Sequence, residues 1–190
     1  MIEVLGLYFS PRQDGNSDLL LDEFLRGAAE AGAVARRIYV RDFSVSGCLE
    51  CGACDETGEC VIQDDMDRLY PLLISADRVA VSSPIFFYGL PSQGKAVIDR
   101  SQALWNRTRL DPKLKRDHGQ GFFLGVGATK GRNLFDGSLL CFKYFLDAIG
   151  LPKKLDSLTY RQIESKAAIR SHPTALKEAF QAGMNFGARM

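Results

Sequence analysis

With 190 residues, 46% of them hydrophobic and 25% charged, the chain is large enough to bury one good core, so we expect a single domain over residues 1–190. Its formal net charge of +1 supplies no electrostatic footprint for nucleic acid, and no nucleic-acid partner is expected. No apolar run approaches membrane-spanning length and no signal-like segment opens the sequence, so we expect a cytoplasmic protein without a membrane partner.

Short apolar runs alternate with amphipathic segments along the whole chain. In chain order, we predict a strand at 2–9, a helix at 17–32, a strand at 33–43, a helix at 64–76, a strand at 77–87, a helix at 92–105, a solvated polar connection at 106–119, a strand at 120–129, a helix at 133–150, a weak strand at 155–160 and a helix from about 165 to 187. This alternation predicts an α/β fold in three layers, with a doubly wound parallel sheet covered by helices on both faces.

The loop between the first strand and the first helix, Ser10–Ser17, has the chemistry of an anion site. We expect Gly15 to take a positive φ, and Asn16 or Ser17 to cap a helix whose first N–H groups are free. Ser10, Asn16 and Ser17 can donate to phosphate oxygens, and Arg12 can add a bidentate contact. An ordinary capped turn is the alternative. The loop is neither a Walker A loop nor a G-x-G-x-x-G turn.

The loop after the third strand begins with three consecutive bulky residues, Phe86, Phe87 and Tyr88. Packing in the hydrophobic core does not by itself explain three such side chains at the exposed end of a strand. A flat aromatic ligand would use their rings, while backbone N–H groups would meet its polar edge. The alternative is a hydrophobic loop packed in a subunit interface. The binding residues predicted here are Pro84, Ile85, Phe86, Phe87, Tyr88 and Gly89.

The loop after the fourth strand is rich in glycine, so its backbone can approach a ligand closely. Its predicted binding residues are Gly127, Ala128, Thr129 and Gly131. All three loops leave the edge of the sheet at which doubly wound folds bind ligands. Together they predict a site for a mononucleotide with a planar ring, and FMN fits better than a dinucleotide.

Four of the five cysteines fall in "GCLECGACDETGEC", residues 47–60. In a reducing cytosol, clustered thiols are more often metal ligands or redox groups than disulfides, and the odd total argues against complete pairing. Four thiolates on one short loop can wrap an iron–sulfur cubane. Two alternatives stay open. One is a Cys₄ zinc site, although structural zinc usually joins two separated knuckles. The other is a loop that binds no metal. The fifth, Cys141, is expected to be a small buried hydrophobe.

These residues resemble those of the NADPH-dependent FMN reductase group of flavodoxin-like proteins and, within it, the iron–sulfur flavoproteins. The most specific element is "CLECGACDETGECVIQDDM", in which two aspartates precede a helix. The resemblance implies a five-stranded flavodoxin-like fold with a cysteine-rich insertion at about 43–66. It also implies FMN at the three loops and a [4Fe–4S] cluster. The implied cluster ligands are Cys48, Cys51, Cys54 and Cys60.

The implied function is an oxidoreductase that passes electrons between the cluster and FMN. Its donor would be ferredoxin-like, its acceptor dioxygen or peroxide, and its assembly a homodimer or homotetramer in which one subunit's cluster can serve a neighbour's FMN. The alternative is an NAD(P)H-dependent FMN or quinone reductase whose cysteine loop is structural or vestigial. A third hypothesis is a non-enzymatic flavodoxin-like carrier or redox sensor. Because cofactors would carry the chemistry, no catalytic side chain is predicted, and His118 and His172 are interpreted as surface residues.

Overall fold

The computed structural model describes residues 1–188, which form a three-layer α/β fold around a five-stranded parallel sheet. The strands are β1 (Glu3–Tyr8), β2 (Val34–Tyr39), β3 (Arg78–Pro84), β4 (Gln120–Val126) and β5 (Leu155–Tyr160). Their order in the sheet is β2-β1-β3-β4-β5, and every neighbouring pair is parallel. This is the strand order of flavodoxin-like sheets, so the predicted fold class is confirmed.

Seven α-helices in the described chain cover the two faces of the sheet. They are α1 (Asn16–Glu30), α2 (Cys54–Thr57), α3 (Met66–Ser75), α4 (Ser92–Arg100), α5 (Gln102–Leu110), α6 (Asp136–Ala148) and α7 (Ala175–Gly187). Helices α1 and α7 lie on one face, while α3, α4, α5 and α6 lie on the other. No helix within residues 1–188 has both the length and the apolar character needed to cross a membrane.

The sheet separates two hydrophobic cores, and adjacent residues of one strand serve opposite cores. Phe122 packs with Phe24 of α1 and Phe186 of α7 at centroid distances of 4.6 and 5.8 Å. Its neighbour Phe123 faces the other side and lies 6.0 Å from the ring of Phe142 in α6. Burial on both sides explains why the central strands are apolar throughout rather than alternating.

The predicted helix over 92–105 is two helices in the structure, separated at Ser101. The Ser101 hydroxyl donates to the carbonyl oxygen of Val97 (2.9 Å), a back-bond that favours a bend at this point. Helix α5 then continues to Leu110, so the prediction of a solvated connection beginning at residue 106 is wrong for its first turn. Asn106 and Thr108 are buried there, and Asn106 faces the cysteine-rich segment, against which α5 packs.

The last helix begins at Ala175, about ten residues later than predicted. The residues before it form a loop with a short 3₁₀ turn at Ala168–Ser171. His172 is only partly buried, but its Nδ1 atom accepts hydrogen bonds from the backbone N–H groups of Thr174 (3.4 Å) and Ala175 (3.1 Å). This histidine therefore helps to cap α7 and has a structural role that the sequence analysis missed.

Candidate functional site

A cleft of about 220 Å³ opens at the carboxyl ends of β1, β3 and β4. Doubly wound sheets bind ligands at this edge, where the strand order reverses. Eight of the predicted FMN-binding residues line the cleft: Ser10, Arg12, Asn16, Ser17, Pro84, Ile85, Phe86 and Ala128. The remaining six lie in adjoining parts of the same loops but outside its lining: Phe87, Tyr88, Gly89, Gly127, Thr129 and Gly131. The fold thus brings the three predicted loops together.

The segment after β5 also lines the cleft, through Ile163 and Glu164. The Ile163 N–H donates to the carbonyl oxygen of Gly127 (3.1 Å), and the Gly127 N–H donates to that of Tyr160 (2.9 Å). These bonds tie the segment to the end of β4. This segment is not predicted from the sequence, because the β5 signal is weak and the residues that follow have a helical pattern.

The first loop enters α1 through an extended glycine. Gly15 has φ −75° and ψ 172° and occupies the N-cap, so the predicted positive φ and the predicted cap at one of the next two residues are wrong. The positive φ, 54°, falls on Asp14. Ser10 Oγ accepts from the Arg12 N–H and donates to the Arg12 carbonyl oxygen, both at 3.1 Å. The hydroxyl therefore braces the loop, while the Arg12 side chain is exposed.

The side chain of Asn16 is engaged by the segment after β5. Its Nδ2 donates to the carbonyl oxygen of Ser165 (2.8 Å), and its Oδ1 accepts from the Ile169 N–H (3.0 Å). One of the two Nδ2 hydrogens is thus engaged, and the other is free for the donation to phosphate that the sequence predicts. The first-turn backbone N–H groups of α1 are further phosphate donors that this arrangement offers.

Arg41 supports the first loop from the end of β2. Its Nη1 donates to the carbonyl oxygen of Ser10 (3.2 Å) and to the Asp18 carboxylate (2.9 Å), and both side chains are largely buried. Burial raises the pKa of Asp18 to about 6, against the opposing attraction of Arg41. The other carboxylate oxygen of Asp18 is buried without a hydrogen-bond partner among the described residues, in keeping with a carboxyl that resists ionisation.

The second loop is a tight hairpin from Phe86 to Gly89. Each of these two residues donates its N–H to the other's carbonyl oxygen, at 3.0 and 2.9 Å. Between them, Phe87 and Tyr88 take φ values of 49° and 63°, the left-handed region in which side chains are strained. Phe87 is fully exposed, and Phe86 and Tyr88 are about half exposed. The backbone therefore holds three aromatic rings beside the cleft at a cost in strain.

Tyr88 joins this hairpin to the third loop. A Cβ atom on Gly131 would overlap the Tyr88 hydroxyl group, so a larger residue there would displace the Tyr88 ring. Arg161 holds the same loop by donating to the carbonyl oxygens of Gly131 and Arg132, both at 3.1 Å. At Gly131, the close approach predicted from the sequence is thus made by a protein ring.

The clustered cysteines lie away from this cleft and line one cavity of about 640 Å³. All five cysteines of the chain are free thiols. No three His, Cys, Asp or Glu side chains in residues 1–188 lie close enough together to hold a metal ion. Cys48, Cys51, Cys54 and Cys60 therefore surround a space rather than meet at a point, and their assignment as cluster ligands stays a prediction. The fifth, Cys141, is half-buried, and burial raises its pKa.

One buried arginine closes the base of the cysteine loop. Arg100 Nη1 donates to Asp64 Oδ2 (2.7 Å), and the Arg100 side chain is fully buried. The same guanidinium donates to the carbonyl oxygens of Ser46 (3.2 Å) and Ile62 (2.9 Å), which lie at the two ends of the loop. A single side chain thus holds both stems of the loop together.

The two aspartates after the cysteine motif also reach back across the base of the loop. Asp64 Oδ2 accepts from the Ser46 N–H and Asp65 Oδ2 from the Ser44 N–H, both at 2.8 Å. Burial opposes the ionisation of Asp64, but hydrogen bonds from Arg100 and the backbone outweigh it and lower the pKa of this carboxyl. The two aspartates thus precede α3, as the sequence shows, and also hold the base of the loop.

Two side chains from the neighbouring helices lie at the cysteine cavity. Asn106 Nδ2 is 3.2 Å from Cys54 Sγ, and Arg100 lines the cavity together with Cys60. Neither residue is predicted from the sequence, because Asn106 falls in a segment predicted to be solvated and Arg100 fits an ordinary amphipathic helix.

The sequence profile of NADPH-dependent FMN reductases matches residues 2–131, which include all three loops of the cleft and the cysteine motif. The chain belongs to this family. Its predicted membership in a family of flavin-dependent oxidoreductases is therefore confirmed.

Curated relatives match over about two thirds of the chain. An iron-sulfur flavoprotein of Methanocaldococcus jannaschii is 33% identical over 69% of this chain and 66% of its own length. For an iron-sulfur flavoprotein of Archaeoglobus fulgidus the identity is 31%, over 68% of this chain and 57% of the relative. One from Methanosarcina thermophila is 34% identical over 69% of this chain and 67% of the relative. The match thus leaves a third or more of these relatives uncovered.

Solved structures with the same fold cover nearly the whole chain. An NAD(P)H:quinone oxidoreductase from Methanothermobacter marburgensis superposes with a TM-score of 0.76 at 17% identity, covering 100% of this chain and 98% of the other. An FMN-dependent NADH-azoreductase from Bacillus anthracis, in complex with FMN, gives 0.71 at 14% identity, covering 97% and 99%. At these identities, the likeness is one of fold.

We expect Arg100→Met to destabilise the protein by about 3 kcal/mol, because it leaves the Asp64 carboxylate without its buried partner. Urea denaturation measures this change, and hydrogen exchange at Ser44 and Ser46 reports whether the loop base opens. The matched control is Arg68→Met, which removes an exposed arginine paired with Asp65 and should cost about 0.5 kcal/mol. Equal effects for the two variants would contradict the role given to Arg100.

We expect Asp18→Asn to change how stability depends on pH. Because folding raises the pKa of Asp18 from 3.8 to about 6, the native state holds this proton more tightly than the unfolded chain. The resulting stabilisation is complete below pH 3.8 and is lost as the pH rises through about 6. The free energy of unfolding of the wild type, relative to that of the variant, should therefore fall between pH 4 and pH 6. Parallel curves in urea denaturation would refute the raised pKa.

Proposed function

We propose that the chain is a flavin-dependent oxidoreductase that binds FMN in the cleft at the ends of β1, β3 and β4. The observation that carries the proposal is the meeting of three loops, one with a helix N-terminus, one with aromatic rings and one rich in glycine, at the edge where doubly wound sheets bind mononucleotides. Membership in the NADPH-dependent FMN reductase family supports the choice of FMN. Bound FMN would supply one- and two-electron chemistry.

Each loop would have a distinct task toward the flavin. The start of α1 would present its free N–H groups to the phosphate, with Arg12 adding charge from the rim. Phe86 lines the cleft and would face the ring system, while Tyr88 fixes the third loop through Gly131. The hydrogen bonds of Asn16 would keep the segment after β5 closed over the site.

We further propose that the four clustered cysteines hold a [4Fe–4S] cluster, which would supply one-electron transfer when bound. Four thiols line one cavity of about 640 Å³, and nowhere in residues 1–188 do three metal-binding side chains converge as a single zinc ion would require. A larger group bound by all four thiols suits this arrangement better. The names of the archaeal relatives support the same choice.

Two classes of electron donor are compatible with the proposal, one that reduces FMN first and one that reduces the cluster first. NAD(P)H would deliver hydride to the flavin, as the family description implies. A ferredoxin-like protein would instead deliver single electrons to the exposed edge formed by Cys48 and Cys51. The proposed acceptors are small molecules such as dioxygen, peroxide or a quinone. Three other expectations stay predictions: a single domain over residues 1–190, a cytoplasmic location, and a homodimer or homotetramer.

We expect Arg12→Ala to weaken FMN binding about tenfold, the loss of one charge-assisted hydrogen bond, while riboflavin, which lacks the phosphate, should bind as it does to the wild type. Flavin fluorescence titration measures both constants. The matched control is Arg170→Ala, which removes an exposed arginine outside the cleft. Equal weakening for FMN and riboflavin would show that Arg12 does not contact phosphate, and unchanged FMN binding would refute the assignment of the loop.

We expect the anaerobically purified protein to contain about four iron and four sulfide per chain, with broad visible absorbance beyond the flavin bands. Cys54→Ser should lower this content, whereas Cys141→Ser, the matched control at the one cysteine outside the cavity, should retain it. Iron and sulfide analysis with absorption spectra decides the outcome. If the protein contained zinc and no sulfide, the site would be assigned to a single zinc ion and not to a cluster. Loss of iron in both variants would contradict the ligand assignment.

A further inference from the structure

Helix α5 presents one buried amide to the cysteine loop. Asn106 is 1% exposed, and its Nδ2 atom lies 3.2 Å from Cys54 Sγ and 2.8 Å from Asp55 Oδ1. Arg109 Nε donates to Asn106 Oδ1 (3.3 Å), which fixes the orientation of the amide, since only its NH₂ group can then face the sulfur. The N–H donor toward Cys54 is therefore determined by the network.

Asn106 places a buried side-chain donor within hydrogen-bond distance of a cysteine sulfur. The fully buried side chain of Arg100 lines the same cavity as Cys60. Cys48 and Cys51, in contrast, are exposed, whereas Cys54 and Cys60 are partly buried. The four thiols thus divide into an inner pair, Cys54 and Cys60, and an outer pair that faces solvent.

An N–H group that donates to a thiolate withdraws negative charge from it. When the thiolate ligates an iron–sulfur cluster, the donor favours the reduced state, which is more negative, and so raises the reduction potential. A buried donor acts more strongly than an exposed one, because water does not compete with it.

We propose that Asn106 is a positioning residue that holds Cys54 toward the cavity and raises the reduction potential of the cluster. The inference rests on the proposed [4Fe–4S] site. It adds that the potential is set from helix α5, outside the cysteine motif, by a residue that hydrogen-bonds the ligand Cys54.

The test compares midpoint potentials in anaerobic redox titrations followed by visible absorption and electron paramagnetic resonance. Asn106→Leu removes the donor at similar volume, and Asn106→Asp replaces the NH₂ group by an acceptor with little change of shape. The matched control is Thr108→Val, which deletes another buried polar group of α5 that bonds only Trp105. Both Asn106 variants should shift the potential to more negative values, while Thr108→Val should keep that of the wild type.

Each other outcome has one meaning. Wild-type potentials in both Asn106 variants would overturn the inference and leave the proposed cluster intact. A wild type without iron and sulfide would overturn both. If neither Asn106 variant retains the cluster, the urea unfolding midpoints of the cluster-free proteins show whether Asn106 acts on the cluster or on the fold. Midpoints equal to that of the cluster-free wild type would support a role in holding Cys54. Lowered midpoints would show that Asn106 only stabilises the fold, and would overturn the inference.

Discussion

The cysteine loop depends on the ion pair between Arg100 and Asp64. Most residues from Gly47 to Val61 are exposed, so the loop has almost no hydrophobic core of its own. Its shape must come from polar contacts at its base, and one guanidinium makes three of them, to a carboxylate and to the carbonyl oxygens at both ends. Since the pair is buried, its partners are costly to separate.

The two candidate sites share this design. Arg41 and Asp18 lie beneath the first loop of the cleft, as Arg100 and Asp64 lie beneath the cysteine loop. In each case the arginine also binds a backbone carbonyl oxygen of the loop that it supports. The parallel sheet fixes where the loops begin, and these pairs fix how they continue.

The sequence predicted the elements that depend on local pattern. All five strands and the helical character of the four crossovers follow from apolar periodicity, whereas the flavodoxin-like fold is what the resemblance implies. The errors fall where tertiary contacts decide. Asn106 is polar but buried because α5 packs on the cysteine segment, and the side chain of Asn16, at the cleft, is engaged by residues about 150 positions later. Gly15 is extended because Asp14 takes the left-handed conformation instead. No local pattern records such partners.

The hairpin at Phe86–Gly89 carries a consequence for the evolution of this surface. A two-residue turn with positive φ at both central positions is usually made by Asn-Gly, which would adopt it with little strain. Phe87 and Tyr88 occupy these positions instead, and Phe87 is almost entirely exposed, so its ring adds little to the stability of the fold. A change to Asn-Gly should therefore make the protein more stable while removing both rings. The present sequence is best understood as a trade-off, in which stability is given up to keep aromatic surface at the mouth of the cleft.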